Sequence, residues 1–203
     1  MIATDDRRVY EAARAFGAPV RMTRPDHLSG TDRVAEVASA ESASIVVNIQ
    51  GDEPLIDPDA IDAAVLPLIH DEQVAMATLK KRIEDPREIS DPNVVKVVTN
   101  RAGDAIYFSR CPIPFVREGV QAGMHFKHIG LYVYRRDFLL SYSSLPVGPL
   151  EGCERLEQLR ALENGHPIRV VETEYESVGV DTPEDLARVS RLFEMSPVEA
   201  RHD

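Results

Sequence analysis

The sequence has no tryptophan, only two cysteines, and no apolar run near the roughly 20 residues that a membrane-spanning helix needs. Cys111 and Cys153 are too few for a cysteine-only zinc site or a disulfide scaffold, so we expect free thiols. The first residues are too acidic, and their apolar stretch too short, for an export signal. These absences predict a cytoplasmic protein that does not associate with a membrane.

Basic residues are also scarce. The 203 residues include 23 Lys and Arg against 34 Asp and Glu, which gives a net charge of −11. This balance disfavours nonspecific nucleic-acid binding, which depends on basic patches that neutralise phosphates. It is compatible with a small anionic substrate held by metal ions and a few local cations. The length and the 43% of hydrophobic residues fit one α/β domain with a full core.

Apolar β-rich runs alternate with segments of helical periodicity along most of the chain. The runs predict strands at about 2–3, 44–49, 74–78, 94–98, 105–108, 129–134 and 168–172. The periodic segments predict helices at about 6–16, 31–40, 59–70, 136–142, 154–163 and 183–193. We therefore expect a single α/β domain over 1–195 and a tail at 196–203. Its sheet should be mostly parallel, with an inserted β-arm at about 83–134.

The sequence Gln50-Gly51-Asp52-Glu53-Pro54 follows the predicted strand at 44–49. Ligands of open α/β sheets bind outside the carboxyl ends of the strands. A carboxylate at that place, such as Asp52, can hold Mg²⁺ against substrate phosphates. For this acidic run alone, a plain turn before a helix is the better interpretation.

A second carboxylate, Asp181, precedes the predicted C-terminal helix in Gly179-Val180-Asp181-Thr182-Pro183-Glu184-Asp185-Leu186. Proline favours the first helical turn, so Thr182 is the expected N-cap and Asp185 its third-position partner. Asp181 is not needed for that cap. Its carboxylate is therefore available to face Asp52 across the crevice at the carboxyl ends of the strands.

Three further groups of residues have both a structural and a functional interpretation. The loop at Ser29-Gly30-Thr31 enters a helix, whose N-terminus suits an anion or the edge of a base, as many such junctions do. The helix at 153–163 has a buried stripe, and its polar face is either solvated or lines a sugar pocket. The stripe consists of Leu156, Leu159 and Leu162, and the opposite face of Glu154, Glu157, Gln158 and Ala161.

The third group lies on the central strands. His128 and Tyr132 should share one face of a strand, where a lone histidine is more often structural than catalytic. Arg110 follows an apolar strand and could pair with a substrate carboxylate or with one of the chain's own acidic residues.

Seven segments, taken in order, resemble one family closely: the 3-deoxy-manno-octulosonate (Kdo) cytidylyltransferases. They are 3–6 (ATDD), 26–33 (DHLSGTDR), 50–54 (QGDEP), 107–110 (YFSR), 128–132 (HIGLY), 156–160 (LEQLR) and 179–186 (GVDTPEDL). Each is weak or moderate alone, but the ordered set is specific and covers the chain from residue 3 to about 190.

The resemblance implies a nucleotide-diphospho-sugar transferase-like fold and a homodimer. It also implies Mg²⁺-dependent transfer of CMP from CTP to the anomeric hydroxyl of Kdo, with release of pyrophosphate, for lipopolysaccharide synthesis. Asp52 and Asp181 would be the catalytic Mg²⁺ ligands. The implied nucleotide-binding residues are Ser29, Gly30, Thr31 and Arg33. The implied sugar-binding residues are Gln50, Arg110, His128, Tyr132, Glu157 and Gln158.

The start of the sequence departs from the family pattern. The family begins with a strand, a Gly-, Arg- and Lys-containing loop around the triphosphate, and a helix, and none of these precedes Met1 here. We expect a sheet that lacks this strand and a chain that lacks the main triphosphate cradle. Two alternatives stay open: a cytidylyltransferase for another acidic sugar such as a sialic acid, and an inactive remnant.

Overall fold

The computed structural model describes residues 1–117, 123–180 and 182–195; Asp181 and the predicted tail at 196–203 lie outside the described residues. The strands are β1 (Ile2–Thr4), β2 (Val20–Met22), β3 (Ile45–Asn48), β4 (Met76–Arg82), β5 (Lys96–Thr99), β6 (Ala105–Ser109), β7 (Phe126–Arg135) and β8 (Arg169–Glu172). The helices are α1 (Arg7–Ala15), α2 (Gly30–Ser39), α3 (Pro58–His70), α4 (Pro86–Ser90), α5 (Arg136–Tyr142), α6 (Pro149–Glu154), α7 (Leu159–Glu163) and α8 (Pro183–Met195). Among these helices, none is long and apolar enough to cross a bilayer.

Two sheets are present. Strands β1 and β2 form a parallel pair. The larger sheet has the order β6-β5-β7-β4-β8, and β3 also pairs with β7. Strand β7, which ends the predicted arm, therefore lies in the middle of this sheet, with β4 along one edge and β3 and β5 along the other. The sheet places the end of β3 beside the middle of β7, because Asn48 pairs with Tyr132.

The expectation of a mostly parallel sheet is wrong. Within the six-stranded sheet the described pairing is parallel only between β4 and β8, and β7 runs antiparallel to β3, β4 and β5. The sequence could not reveal this, because an apolar run that is buried on both faces reads alike in either direction. Strand direction follows from the path of the connecting segments, which local periodicity does not encode.

Helices cover both faces of the larger sheet. On one face, Met76 and Tyr134 pack against Leu139 and Tyr142 of α5 and Leu159 of α7. On the other face, Ala77, Leu79 and Val133 pack against Ala64 and Leu68 of α3. All ten of these side chains are at most 1% exposed, so the sheet has a close-packed layer on each side. The site described below lies at the edge of the first layer.

The predicted helix at 154–163 is broken into two. Helix α6 ends at Glu154, Arg155 adopts a left-handed conformation with φ of 52°, and α7 begins only at Leu159. Leu156 and Leu159 are buried as expected, but Gln158 and Ala161 are buried as well. Of the two interpretations of this face, a solvated one does not hold, because the chain turns between the two helices and packs both sides of α7 against neighbours. The turn at 155–158 carries Glu157 and Gln158 inward.

Candidate active site

A small cavity of about 70 Å³ lies where the N-terminus of α2, the end of β3, strand β7 and the α6–α7 turn meet. Its lining residues are Gly30, Thr31, Gln50, Tyr132, Tyr134, Tyr142, Glu157 and Gln158. Six of the eight were predicted as site residues. Enclosed ligand pockets are usually about 300–1,000 Å³. This cavity therefore encloses only part of a ligand of that size, and the remainder must lie outside it.

Tyr134 and Tyr142 were missed by the sequence analysis. Tyr134 lies two residues beyond Tyr132 on the same strand, so the alternation of side chains could have found it. Nothing local could have revealed Tyr142, because it reaches the cavity from α5 through tertiary packing. Its hydroxyl donates to the main-chain oxygen of Glu157 at 2.7 Å and helps to hold the turn.

The first wall of the cavity is the N-terminus of α2. Ser29 is the N-cap, and its Oγ accepts a hydrogen bond from the backbone N–H of Asp32 at 3.2 Å. The same hydroxyl donates to Oε1 of Glu157 at 3.1 Å. One serine thus caps the helix and joins it to the α6–α7 turn. The helix terminus faces the cavity with the positive end of its dipole.

The second wall contains the carboxylate of Glu157. Burial raises its pKa above the usual value, and hydrogen bonds from the hydroxyls of Thr31 and Ser29 offset part of this effect. A partly buried carboxylate accepts strong hydrogen bonds in a region from which water is largely excluded. The arrangement suits recognition of hydroxyl groups.

An ion pair and two hydrogen bonds, which together we call the α6–α7 clamp, fix the turn that carries Glu157. Arg160 donates to both carboxylate oxygens of Glu151 at 2.6 and 2.9 Å, and both side chains are only 11% exposed. The carboxylate of Glu163 accepts from the N–H groups of Leu150 and Glu151, each at 2.9 Å. Both contacts join α7 back to the start of α6, so the intervening turn has little freedom.

The predicted pair on β7 does share one face of the strand. The ring centroids of His128 and Tyr132 lie 5.4 Å apart, and those of His128 and Phe108 lie 5.0 Å apart with the two rings nearly perpendicular. Burial lowers the pKa of His128 to about 3 and raises that of Tyr132 well above its usual value. Both side chains are therefore neutral near pH 7. His128 does not line the cavity itself but packs against Tyr132, which does.

The loop after β3 differs from this wall. Asp52 is exposed, and its carboxylate has no hydrogen-bonding or ionic partner within residues 1–117, 123–180 and 182–195. Its main-chain oxygen accepts from the N–H of Val180 at 2.9 Å, which joins the loop to the residue before Asp181. Glu53 accepts from the hydroxyls of Tyr175, at 3.1 Å, and Ser177. Glu53 therefore holds the two segments together, and Asp52 stays open to a ligand.

The expected capping of α8 by Thr182 and Asp185 is confirmed. The backbone N–H of Asp185 donates to Oγ1 of Thr182 at 3.1 Å, and the N–H of Thr182 donates to Oδ2 of Asp185 at 3.2 Å. This is the predicted reciprocal cap. Asp181, the second predicted metal ligand, lies outside the described residues.

Two predicted arginines do not line the cavity. Arg33 pairs with Asp5 at 3.1 Å and also donates to Thr23, so it joins the ends of β1 and β2 to α2. Arg110 donates to the main-chain oxygens of Pro92 and Glu154, each at 2.8 Å. With these contacts both guanidinium groups hold neighbouring segments of the chain.

Comparison with known proteins decides the family. The cytidylyltransferase family model matches residues 1–173. The 3-deoxy-manno-octulosonate cytidylyltransferase of Solibacter usitatus is 80% identical over 97% of this chain and 78% of its own length. The enzyme of the same name from Pelobacter propionicus is 55% identical over 95% of this chain and 80% of its length. The chain belongs to the 3-deoxy-manno-octulosonate cytidylyltransferase family.

Solved structures agree with this membership. A structure of CMP:2-keto-3-deoxy-manno-octonic acid synthetase complexed with CTP is 45% identical, with a TM-score of 0.89 over 95% of this chain and 79% of that one. A 4-diphosphocytidyl-2C-methyl-D-erythritol synthase from Anaerococcus prevotii shares the fold alone, at 12% identity and a TM-score of 0.57. The predicted family and the predicted nucleotide-diphospho-sugar transferase-like fold are confirmed. As a member of this family the protein is an enzyme of the nucleotidyltransferase class.

Proposed function

We propose that this enzyme transfers CMP from CTP to the anomeric hydroxyl of Kdo and releases pyrophosphate, a step that supplies activated Kdo for lipopolysaccharide. The observation that carries the proposal is the cavity at the N-terminus of α2, next to the loop that exposes Asp52. Family membership supplies the reaction, and the cavity supplies a place for it. A sugar hydroxyl attacks the α-phosphorus of CTP while the bond to pyrophosphate breaks.

The chain's own residues bind and orient the two substrates in this proposal. Ser29, Gly30 and Thr31 offer hydroxyls and the α2 N-terminus to the nucleotide. Acceptors and amides that face the same cavity bind the sugar hydroxyls: Glu157, Gln158 and Gln50, with His128 and Tyr132 beside them. Holding both substrates in line converts a bimolecular reaction into an effectively unimolecular one. Arg33 and Arg110 contribute through the segments that they hold in place.

The residues present fit a Mg²⁺ ion. Carboxylate oxygens are the ligands that Mg²⁺ prefers, and one or two carboxylates together with substrate phosphates are a usual set. Asp52 offers an exposed carboxylate that has no partner among the described residues, and the Val180–Asp52 hydrogen bond brings the segment that leads to Asp181 to the same loop. We propose Asp52 and Asp181 as the residues that hold the ion. When bound, it would neutralise phosphate charge and lower the pKa of the attacking hydroxyl.

We also propose that the enzyme is a cytoplasmic homodimer, in which residues of the predicted arm contribute to the contact between subunits. Phe115 is 87% exposed and Ile106 is 61% exposed, so both side chains present apolar surface to solvent. Burial of both side chains against a second copy would remove this apolar surface from water. Analytical ultracentrifugation of the protein and of a Phe115→Ser variant tests the contact, and an unchanged sedimentation coefficient would contradict it.

A product assay tests the proposed function. The protein is incubated with CTP, Kdo and MgCl₂, and the product is followed by ³¹P NMR and mass spectrometry. We expect a new phosphodiester with the mass of CMP-Kdo, one equivalent of pyrophosphate, and no product when EDTA is present. Transfer to a sialic acid in place of Kdo is not favoured, since the relatives bear the Kdo name. A sialic-acid product without a Kdo product would overturn the assignment of the sugar.

A further inference from the structure

A buried threonine, Thr78, lies between the two parts of an irregular strand pairing. The register of β4 against β7 shifts at this point, so that Thr78 opposes Tyr132 whereas the next residue, Leu79, opposes Ile129. Two residues of β7 therefore have no pairing residue on β4. The side chain of Thr78 fills the irregularity and is completely buried.

The hydroxyl of Thr78 has three neighbours that can take part in hydrogen bonds. The main-chain oxygens of Leu131 and Ile129 lie 2.8 and 3.2 Å from Oγ1. Nε2 of His128 lies 2.9 Å from the same atom. A hydroxyl has one proton to donate, and a carbonyl oxygen can only accept. The Thr78 proton therefore goes to a carbonyl oxygen of β7, and His128 must donate its Nε2 proton to Oγ1.

This assignment leaves Nδ1 of His128 without a proton, because a neutral imidazole carries only one. No hydrogen bond to Nδ1 is formed within the described part of the chain. In that same part of the chain, the fully buried side-chain nitrogen and oxygen atoms that lack a hydrogen-bonding partner are Asp32 Oδ1 and Asn48 Nδ2. Nδ1 of His128 is not among them, so this unpartnered atom is not fully buried. Tyr132, which lines the cavity, packs directly against this ring.

We propose that Thr78 is a positioning residue: it fixes His128 in the Nε2–H tautomer, so that Nδ1 is offered as a hydrogen-bond acceptor to a hydroxyl group of the sugar. The part of this inference that concerns the sugar rests on the proposed function. The part that concerns the tautomer does not.

The surroundings of His128 agree with a neutral ring. Phe108 and Tyr132 pack against it, and the residue opposite it on β4 is Lys80, whose ammonium donates to Thr99. These contacts include no carboxylate that would favour the imidazolium. A neutral acceptor binds a hydroxyl donor, whereas it offers nothing to the carboxylate of an acidic sugar. His128 therefore recognises a sugar hydroxyl.

The tautomer can be read directly by two-bond ¹H–¹⁵N NMR correlations of the histidine rings at pH 7, with a His128→Gln variant to assign the signal among the six histidines. We expect the pattern of a neutral Nε2–H ring for His128. A neutral Nδ1–H pattern, or that of an imidazolium, would overturn the proposal. This measurement needs neither substrate nor turnover.

Two substitutions test the role of Thr78. Thr78→Val keeps the shape of the side chain but removes the hydroxyl, and we expect the His128 signal to become a mixture of tautomers. Thr78→Ser keeps the hydroxyl and should retain the wild-type pattern. An unchanged tautomer in a folded Thr78→Val variant would contradict the role of Thr78. If that variant does not fold, the wild-type and Thr78→Ser spectra decide the question.

Titration with Kdo tests the sugar part. We expect Kdo to shift Nδ1 of His128. Thr78→Val should raise KM for Kdo by about twofold, because only the Nε2–H fraction of a tautomer mixture can accept the hydroxyl, with KM for CTP little changed. An Nδ1 resonance that does not respond at saturating Kdo would overturn the sugar part. If the protein forms no product from CTP and Kdo, the proposed function fails, and the tautomer result stands on its own.

Discussion

The cavity wall and the loop after β3 adjoin the same site but are built in opposite ways. The carboxylate of Glu157 is partly buried, accepts from Ser29, and sits on a turn that the α6–α7 clamp holds in place. The carboxylate of Asp52 is exposed, and among the described residues only its backbone is held, by one hydrogen bond from Val180. The two acidic residues thus differ in burial, in partners and in freedom.

The difference suggests how the two ends bind their ligands. A fixed wall loses little conformational freedom on binding and can select a sugar by the positions of its hydroxyls. An exposed carboxylate on a loop remains hydrated until a metal and a phosphate arrive together. We therefore assign recognition to the wall and charge neutralisation to the loop. The predictions below test this division.

The largest expected effect is on the loop. Asp52→Asn should lower kcat at saturating Mg²⁺ by about 10³-fold or more, because loss of a ligand to a catalytic metal removes several kcal/mol of transition-state stabilisation. The thermal unfolding temperature should stay the same, since the exposed carboxylate of Asp52 has no hydrogen-bonding or ionic partner in the described residues. Steady-state pyrophosphate release and calorimetry measure the two quantities.

Asp57→Asn is the matched control for this change. Asp57 lies on the same loop and caps α3 through the N–H of Asp59 at 2.9 Å, and asparagine caps helices as well as aspartate does. We expect near-normal turnover from this variant. Equal losses of activity in both variants would show that the loop needs its negative charge in general rather than Asp52 as a ligand.

The next effect concerns the clamp. Arg160→Met leaves Glu151 as a buried charge without its partner and should lower the free energy of unfolding by about 3 kcal/mol. The double variant Arg160→Met/Glu151→Leu should recover much of this loss. Arg188→Met, which breaks the exposed pair with Asp185 on α8, should change stability by less than about 1 kcal/mol. Urea unfolding compares the four proteins, and a mild effect of Arg160→Met alone would contradict a rigid wall.

The titration of Glu157 should make the stability of the fold depend on pH. Its folded pKa is raised by burial above the usual 4.5, so the folded protein binds this proton more tightly than the unfolded chain does. The contribution of Glu157 to the free energy of unfolding therefore decreases as the pH rises from about 4.5 through the folded pKa. Glu157→Gln should remove this decrease. Stability measured from pH 4 to 8 for both proteins checks it.

Glu176 provides a control of opposite sign. The ammonium groups of Lys127 and Lys81 lower its pKa in spite of an opposing effect of partial desolvation, so Glu176 stabilises the fold above its unfolded pKa, and this contribution is lost as the pH falls. Glu176→Gln should therefore reduce stability near pH 7 and have less effect at low pH. The two difference curves should slope in opposite directions, and parallel curves would refute the assignment for Glu157.

The smallest expected effect compares two helix caps. Ser29→Ala and Thr182→Ala each remove a capping hydroxyl and should each cost about 1 kcal/mol of stability. Of these two capping residues, Ser29 is the one whose hydroxyl also donates to the carboxylate of Glu157. Ser29→Ala should therefore weaken the binding of Kdo, measured by calorimetry, whereas Thr182→Ala should leave Kdo binding unchanged. Equal affinities for Kdo in the two variants would show that the α2 cap does not contribute to binding at the site.

Much of the fold could be predicted from the sequence, where the signal is local. The predicted helix at 136–142 matches α5, and the strand at 44–49 contains β3, because periodicity and flanking residues determine such elements. Strand direction and the break at Arg155 could not be predicted. Leucines at 156, 159 and 162 fit a continuous helix as well as an interrupted one, and only the contacts of Tyr142 and Glu151 across the turn decide between them.

The site was predictable where a motif carries it. Ser29, Gly30, Gln50, Glu157 and Gln158 come from separate segments, and the fold brings them to one cavity or its edge. Thr78 had no signal at all, since a threonine in an apolar strand is ordinary and its hydroxyl matters only through a register shift. The roles of the site residues stay predictions, and that of Asp181 concerns a residue outside the described part.

The most direct test of this division is a crystal structure of the enzyme with CTP, Mg²⁺ and Kdo, compared with the same crystal form without them. We predict Mg²⁺ on the carboxylate of Asp52, Kdo hydroxyls within hydrogen-bond distance of Glu157 and Gln158, and a turn at 155–158 in the same position in both structures. A metal held away from Asp52, or Kdo bound outside the cavity, would contradict the account.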